Sequence, residues 1–144
     1  MKQTMLIIAI LFVTAACRKD KGKAPEKEKT PLKLITQKKW ISSSFGFDDN
    51  KNGKIDNTEE MIRDCETDNS IEFFTNSTGE SKDNAKTCGT VNPVYNFAWQ
   101  FEDGTHKLLI EGNSASIITL NEDSLVLLYH IPYITDGYMA TYKH

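Results

Sequence analysis

The stretch Val94-Tyr95-Asn96-Phe97-Ala98-Trp99-Gln100-Phe101 decides the fold of this chain. Aromatic residues occupy every second position in it, and the positions between them are mostly small or polar. Because successive side chains of a strand point to opposite faces, this alternation predicts a β-strand with one buried, aromatic face.

Four further strands follow, separated by turn pairs. The pairs Asp103-Gly104, Gly112-Asn113 and Asp136-Gly137 favour the positive φ angles that close hairpins. The predicted strands are His106–Glu111, Ser114–Leu120, Ser124–Ile131 and Tyr138–Lys143. Consecutive strands of this kind form an antiparallel meander, which must curl over a core or close into a barrel to bury its apolar face.

The composition is that of one small soluble domain, with 144 residues of which 39% are hydrophobic and 26% charged. Charge is unevenly distributed along the chain. Residues 18–31 hold six Lys or Arg and three Asp or Glu, whereas residues 32–144 hold ten and seventeen, a balance of −7. Nucleic-acid binding needs clustered Lys and Arg, so the acidic domain is not expected to bind nucleic acid.

The first seventeen residues predict export and membrane attachment. Lys2 precedes the short apolar segment Met5–Val13, and the small residues Thr14-Ala15-Ala16 follow it. These features define a secretory signal peptide over residues 1–16. Cys17, directly after the small residues, resembles the lipobox of bacterial lipoproteins, in which the cysteine thiol is lipidated and becomes the mature N-terminus. An ordinary cleaved signal peptide followed by an unrelated cysteine is the alternative.

Residues 17–31 are then expected to be a lipidated cysteine and a charged, flexible tether, because they contain almost nothing that a core could bury. The tether is either a spacer or a basic segment that touches anionic lipid headgroups. The lipobox resemblance implies a protein held in the cell envelope by its lipid anchor, at the outer membrane.

The domain itself, residues 32–144, is expected to begin with a short helix that Thr30 caps and that Pro31 suits at its first position. Trp40–Phe47 then predicts the first strand. One face of this strand is predicted to hold Ile41, Ser43, Phe45 and Phe47.

An acidic loop follows the first strand, and it fits the calcium-loop pattern D-x-[DN]-x-[DN]-G-x5-E in full. The predicted Ca²⁺ ligands are Asp48, Asn50, Asn52, the backbone carbonyl of Lys54, Asp56 and Glu59. A strand rather than a helix precedes the loop, and the ligands include only three carboxylates, so a single, weak site is expected. A metal-free turn rich in Asn and Asp is the alternative.

The other two cysteines, Cys65 and Cys88, are expected to form a disulfide, because an exported protein meets an oxidising environment. Around them the sequence predicts a short helix over Thr58–Asp64 and strands over Ser70–Thr75 and Glu80–Asp83. Catalytic motifs are absent from the sequence, which lacks H-E-x-x-H, G-x-S-x-G and a glycine-rich phosphate loop. We therefore expect no enzyme activity.

In combination, these parts resemble the lipocalin-like domains found in lipoproteins of Bacteroidota. The resemblance covers residues 32–144 and is carried by Trp40, the Asp/Asn/Gly loop, Cys65-Glu66-Thr67-Asp68, Phe73-Phe74, Cys88 ahead of Trp99, and the hairpin of residues 117–127. It implies an all-β fold, an eight-stranded up-and-down antiparallel barrel with a short N-terminal helix. The resemblance identifies neither a ligand nor a catalytic residue.

An eight-stranded barrel either holds one small ligand or is filled by its own side chains. The candidate pocket residues, which equally suit a packed core, are Trp40, Tyr95, Phe97, Trp99 and Phe101. Two functions follow from these alternatives. One is a lipid-anchored protein that binds a small apolar ligand. The other is a structural or interaction module with a filled barrel and a calcium-ordered loop, whose protein partner the sequence does not identify.

Overall fold

A computed structural model describes residues 29–89, 94–130 and 137–144. The predicted signal peptide, Cys17 and the tether up to residue 28 lie outside the described residues. One helix and eight strands lie within them: α1 (Pro31–Thr36), β1 (Trp40–Phe47), β2 (Ser70–Phe73), β3 (Thr78–Lys82), β4 (Val94–Glu102), β5 (Lys107–Ile110), β6 (Asn113–Leu120), β7 (Ser124–Tyr129) and β8 (Tyr138–Lys143).

The eight strands close into one barrel, in which each strand pairs with the next along the chain. β8 completes the ring by pairing antiparallel with β1, from Ile41 opposite Lys143 to Phe47 opposite Tyr138. The predicted all-β, eight-stranded up-and-down antiparallel barrel is therefore confirmed, and its architecture is lipocalin-like.

Helix α1 covers one end of this barrel, because it contacts β2 and β6, which lie on opposite sides of the ring. Thr30 Oγ1 accepts a hydrogen bond from Lys33 N at 3.3 Å and Pro31 occupies the first turn, so the predicted helix start is confirmed. Ile35 is fully buried, and its carbonyl oxygen accepts a hydrogen bond from Trp40 Nε1 at 2.9 Å. We call this the closed end. Within the part of the chain that the structure describes, no helix is long and apolar enough to cross a membrane.

Strand β1 has its predicted bounds, but its faces differ from the prediction. The pairing register with β8 shifts between Ser42 and Ser44, which marks a β-bulge. As a result, Phe45 faces the barrel interior opposite Ala140, whereas Ile41 lies opposite the exposed Lys143. The prediction that Ile41 and Ser43 share a face with Phe45 is wrong, because the bulge interrupts the alternation.

Two predictions between β1 and β3 are also wrong. Thr58–Asp64 forms no helix, and a single 3-10 turn spans Asp64–Glu66 instead. β2 ends at Phe73, because Ser77 adopts a φ of 66° and turns the chain two residues early. Gly79 consequently lies inside β3, where the ring of Phe97 packs so closely against it that a Cβ would collide with the ring.

The packed core fills the closed end. Edge-to-face contacts join Phe73 to Phe97, Phe73 to Trp99, and Trp99 to Phe101, with ring centroids 5.2–5.6 Å apart. The other fully buried members include Ile35 of α1, which places this cluster against the helix. On the aromatic face of β4, Phe97 and Trp99 are buried and Phe101 is partly buried, as the alternation predicts, whereas Tyr95 is 58% exposed.

Candidate ligand site at the open end of the barrel

Three tyrosines from two neighbouring strands line a cavity beyond the packed core. Tyr129 of β7 lies opposite Tyr138 of β8, and Tyr142 lies opposite the buried Leu125, so all three share the interior face. The cavity has a volume of about 310 Å³. We call it the tyrosine cavity; its lining is Ser42, Ser44, Phe45, Glu66, Asn69, Tyr129, Tyr138, Ala140, Thr141 and Tyr142.

A gap in the sheet brings the chain between β1 and β2 into the cavity wall. β1 and β2 pair only at Trp40–Ile71 and Ile41–Ser70. Past these pairs, Ser42 N donates a hydrogen bond to Asn69 O at 2.8 Å, and the segment of residues 64–69 runs beside β1 in place of a longer strand. Asn69 and Glu66 consequently line the cavity.

The tyrosine hydroxyls lie in a desolvated and negatively charged environment. Burial, followed by the charge of Glu66, raises the pKa of Tyr138 to about 12. Burial also raises the pKa of Tyr142 well above its ordinary value, and it raises the pKa of Tyr129 despite a hydrogen bond between these two phenols. All three hydroxyls therefore stay protonated far into the alkaline range, so each can donate and accept a hydrogen bond.

Glu66 supplies the negative charge at this wall. Arg63 Nη2 lies 2.5 Å from Glu66 Oε1, and Arg63 N donates to Glu66 Oε2 at 2.9 Å. The hydrogen bond from Arg63 holds the pKa of Glu66 below its usual range. Because the Glu66 side chain is 18% exposed and that of Arg63 is 65% exposed, the carboxylate is the inner partner of the pair.

The same wall holds two buried oxygen atoms that accept no hydrogen bond from the described residues, Asn69 Oδ1 and Asp68 Oδ1. A buried acceptor left without a donor costs about 1–3 kcal/mol. Asn69 also lines the tyrosine cavity, but its Oδ1 atom has almost no solvent-accessible surface, so this oxygen is not open to a ligand.

A second cavity, of about 590 Å³, lies on the other side of Tyr129. It is lined by Tyr95, Ile110, Tyr129, His130 and residues 111–114, which span the turn between β5 and β6. This turn joins β5 to β6, whereas the next turn along the chain carries Glu122, which pairs with Lys29 beside α1 at 2.7 Å. The second cavity therefore lies at the end of the barrel away from α1, which we call the open end. The tyrosine cavity extends from Tyr138 at that end along β8 to Tyr142.

The predicted pocket residues do not form the tyrosine cavity. Trp40, Phe97 and Trp99 are at most 5% exposed and belong to the packed core, and Phe101 packs against that core. Tyr95 lines only the second cavity. The aromatic residues predicted to line a pocket are thus mostly core residues, and other side chains line the tyrosine cavity.

Sequence reasoning missed the three tyrosines of the cavity, although a signal for them was present. Tyr129 follows the alternation of Leu125 and Leu127 along β7, and Tyr138 and Tyr142 follow that of Ala140 along β8. Asn69 offered no comparable signal, because it lies outside the strands and reaches the cavity only through the short β1–β2 pairing.

In the acidic loop of residues 48–59, the predicted ligands form hydrogen bonds with one another and with the loop backbone. The Nδ2 atoms of Asn50 and Asn52 donate to Asp56 Oδ2 at 2.9 and 3.0 Å. Glu59 accepts hydrogen bonds from Asn50 N at 3.2 Å and from Asp56 N at 2.9 Å. Asp48 accepts two more from backbone N–H groups of the loop, at 2.8 and 2.9 Å.

This closure does not by itself identify a metal centre. Among the residues that the structure describes, no group of three or more His, Cys, Asp or Glu side chains is placed to hold a metal ion. Lys54 donates its N–H to Asn52 Oδ1 at 2.9 Å, so the residue is part of the closed loop. Calcium binding by the loop stays a prediction.

The acidic loop continues directly into contacts with β1. Glu60 accepts hydrogen bonds from Ser44 Oγ at 2.5 Å and from Phe45 N at 3.0 Å, and Met61 N donates to Phe45 O at 2.8 Å. Gly46 permits this approach, because a Cβ at that position would collide with the carbonyl oxygen of Glu59. The loop therefore braces the part of β1 that lines the tyrosine cavity.

The predicted disulfide between Cys65 and Cys88 is present, with the two Cα atoms 5.3 Å apart. Beside it, Asn84 Nδ2 donates to Asp68 O, and Lys86 N donates to Asp68 Oδ2 at 3.0 Å. The disulfide and these hydrogen bonds fasten the cavity wall, residues 64–69, to the chain between β3 and β4.

None of the described histidines lines the tyrosine cavity. His106 and His144 direct Nδ1 toward backbone carbonyl oxygens, at 3.0 and 2.8 Å, and His130 Nε2 lies 3.1 Å from Ser116 Oγ. The expectation that the protein is not an enzyme stays a prediction.

No protein-family model and no curated protein matches this chain. Its class therefore rests on the fold: an all-β protein with a closed, eight-stranded up-and-down barrel of lipocalin-like architecture. The resemblance to lipoproteins of Bacteroidota stays a prediction.

Proposed function

We propose that this chain is a lipid-anchored, extracytoplasmic lipocalin-like protein that binds one small molecule in the tyrosine cavity. One observation carries the proposal: the barrel is packed at its closed end but leaves about 310 Å³ empty among the tyrosines. Ligand sites occupy about 300–1,000 Å³ and combine apolar walls with a few placed polar groups.

The sequence predicts an apolar ligand, and the residues that line the cavity indicate that this ligand also carries a polar group. Phe45 and Ala140 offer apolar contact, whereas the tyrosine hydroxyls and Asn69 offer hydrogen bonds. A ligand that matches both has an apolar body and at least one polar group. The cavity volume of about 310 Å³ lies at the lower end of the range for ligand sites, so the ligand must be small.

The disulfide supports a location outside the cytoplasm, because cytoplasmic thiols are kept reduced. Attachment to the outer membrane rests on the resemblance of residues 1–17 to a lipobox. In this proposal, residues 18–28 serve as the tether between the anchor and the barrel.

Binding of the neutral fluorescent probe N-phenyl-1-naphthylamine tests the proposed site. Ala140 is 6% exposed and lines the cavity, so Ala140→Leu should fill the space and lower the probe's fluorescence. Ser42→Leu narrows the same cavity from β1 and serves if the first variant folds poorly. Asn96→Leu is the control, because Asn96 lies on the exposed face of β4 and lines neither cavity. Unchanged fluorescence in both cavity variants would contradict the proposal.

An interaction module with a calcium-ordered loop is the second candidate. It is favoured by the acidic loop, whose predicted ligands are already mutually hydrogen-bonded and whose end is fixed to β1 through Glu60. In this function, calcium would order the loop as a surface for a protein partner. The melting experiment in the Discussion tests whether calcium acts on the loop.

A further inference from the structure

We infer that the tyrosine cavity selects a cationic amine, a small molecule with an apolar body and one ammonium group. The inference rests on the proposed function and names the class of ligand for the same site. Three independent features of the lining support it: its aromatic rings, its surplus of acceptors and the sign of its charge.

The first feature is a set of aromatic rings around one space. The ring centroids of Phe45 and Tyr138 are 5.7 Å apart with an angle of 43° between the rings, and those of Tyr129 and Tyr138 are 6.2 Å apart with an angle of 54°. Rings tilted in this way do not stack on one another. A cation is attracted to such ring faces within about 6 Å of the centroid.

The second feature is the surplus of acceptors. The acceptors of the lining are the Glu66 carboxylate and the tyrosine and serine hydroxyls. The hydroxyls can also donate, whereas an ionised carboxylate only accepts. An ammonium group has three N–H donors and no acceptor, so it matches this lining better than an alcohol or an acid does.

The third feature is the sign of the charge. No described residue that lines the cavity is a Lys, Arg or His, whereas Glu66 belongs to the lining. Glu66 and Glu60 both raise the pKa of Tyr138, which shows that their negative charge is felt at this phenol. The guanidinium of Arg63 neutralises part of the Glu66 charge, but its side chain is 65% exposed. An anionic ligand would find no partner of opposite charge in this lining.

Three probes with the same phenyl body separate the ligand classes: 2-phenylethylamine, 2-phenylethanol and phenylacetate. Isothermal titration of the purified, oxidised full chain at about pH 7, where an alkylamine is protonated, measures all three dissociation constants. We expect the amine to bind about tenfold more tightly than the alcohol, and phenylacetate to bind most weakly.

Glu66→Gln should reduce this preference for the amine. Glu80→Gln removes the same charge from the outer face of β3, opposite Glu72, and should leave the preference unchanged. Glu60→Gln, which removes a second negative charge that acts on Tyr138, should also reduce the preference and serves if Glu66→Gln does not fold.

The outcomes distinguish a failure of the amine inference from a failure of the proposed ligand-binding function. Equal affinities for amine and alcohol, or tightest binding of phenylacetate, would overturn the amine inference and leave ligand binding intact. The amine inference is also overturned if N-phenyl-1-naphthylamine binds the cavity while all three phenyl probes fail to bind. If that probe and the three phenyl compounds all fail to bind, the proposed function itself is overturned.

Discussion

Alkaline pH should destabilise the barrel through its buried tyrosines, and Tyr138 allows the size of the effect to be worked out. The pKa of Tyr138 is about 12 in the folded protein, against an ordinary value of about 10. Because the neutral phenol is favoured in the fold, the stabilisation is fully present below about pH 10 and is lost as the pH rises to about 12. Two pKa units correspond to about 2.7 kcal/mol, which solvent screening at this half-exposed phenol reduces to about 1 kcal/mol.

Urea unfolding at several values between about pH 9 and about pH 12 measures this loss. The Tyr138→Phe variant should lose about 1 kcal/mol less of its free energy of unfolding over that range than the wild type loses. In parallel, tyrosinate absorbance of the folded chain should rise at higher pH than that of the urea-unfolded chain. Burial raises the pKa of Tyr129 and Tyr142 in the same direction, so part of the pH dependence should persist in the variant. Identical pH profiles for variant and wild type, with tyrosinate appearing together in folded and unfolded chains, would refute the desolvated tyrosine cluster.

Three further predictions concern the anchor, the disulfide and the acidic loop. Cys17→Ser should release the domain from membranes or leave it unprocessed; a variant that stays in the membrane fraction with unchanged gel mobility would contradict the lipid anchor. Non-reducing peptide mapping should show Cys65 linked to Cys88, and replacing either cysteine by Ser should cost roughly 3 kcal/mol of stability by the chain-entropy model. Two free thiols in exported protein would exclude the bond. If calcium binds the loop with a dissociation constant of ~0.1 mM, ~10 mM calcium should raise the protein's free energy of unfolding by roughly 2.7 kcal/mol. Magnesium should raise it by less. Glu59→Gln should remove most of this gain, and equal melting temperatures in calcium and chelator for the wild type would reduce the loop to an acidic turn.

The local parts of this fold could be read from the sequence because each depends on neighbouring residues. Alternation along Val94–Phe101 identified β4, and turn pairs divided the rest of the meander into its strands. Thr30 and Pro31 located the helix start, since capping is settled within one turn.

The predictions were wrong at positions where tertiary contacts determine the backbone conformation. The bulge near Ser43 changes which side chains of β1 face inward, and nothing in Trp40–Phe47 marks it. The turn before β3 uses a positive φ at Ser77, although a residue other than glycine seldom adopts it. Gly79 is required beneath Phe97, a contact between strands that the local sequence pattern does not contain.

The candidate site could not be read from the sequence because it is assembled across the barrel. Most of the aromatic residues that the sequence predicts as pocket lining, such as Trp99, belong to the core. The cavity is lined by residues of β1, β7 and β8 together with Asn69 and Glu66, which lie outside the strands. Those two residues reach the cavity only because β1 and β2 pair at two positions.

Native mass spectrometry of the protein purified from its own host tests the central claim most directly. We predict one small molecule, no larger than the tyrosine cavity admits, bound to the wild-type chain and absent from Ala140→Leu. The control variant Asn96→Leu should retain the molecule, because Asn96 lies on the outer face of the barrel and does not line the tyrosine cavity. A wild-type spectrum that contains only the polypeptide with its covalent modifications, or a molecule that Ala140→Leu carries equally well, would contradict the claim.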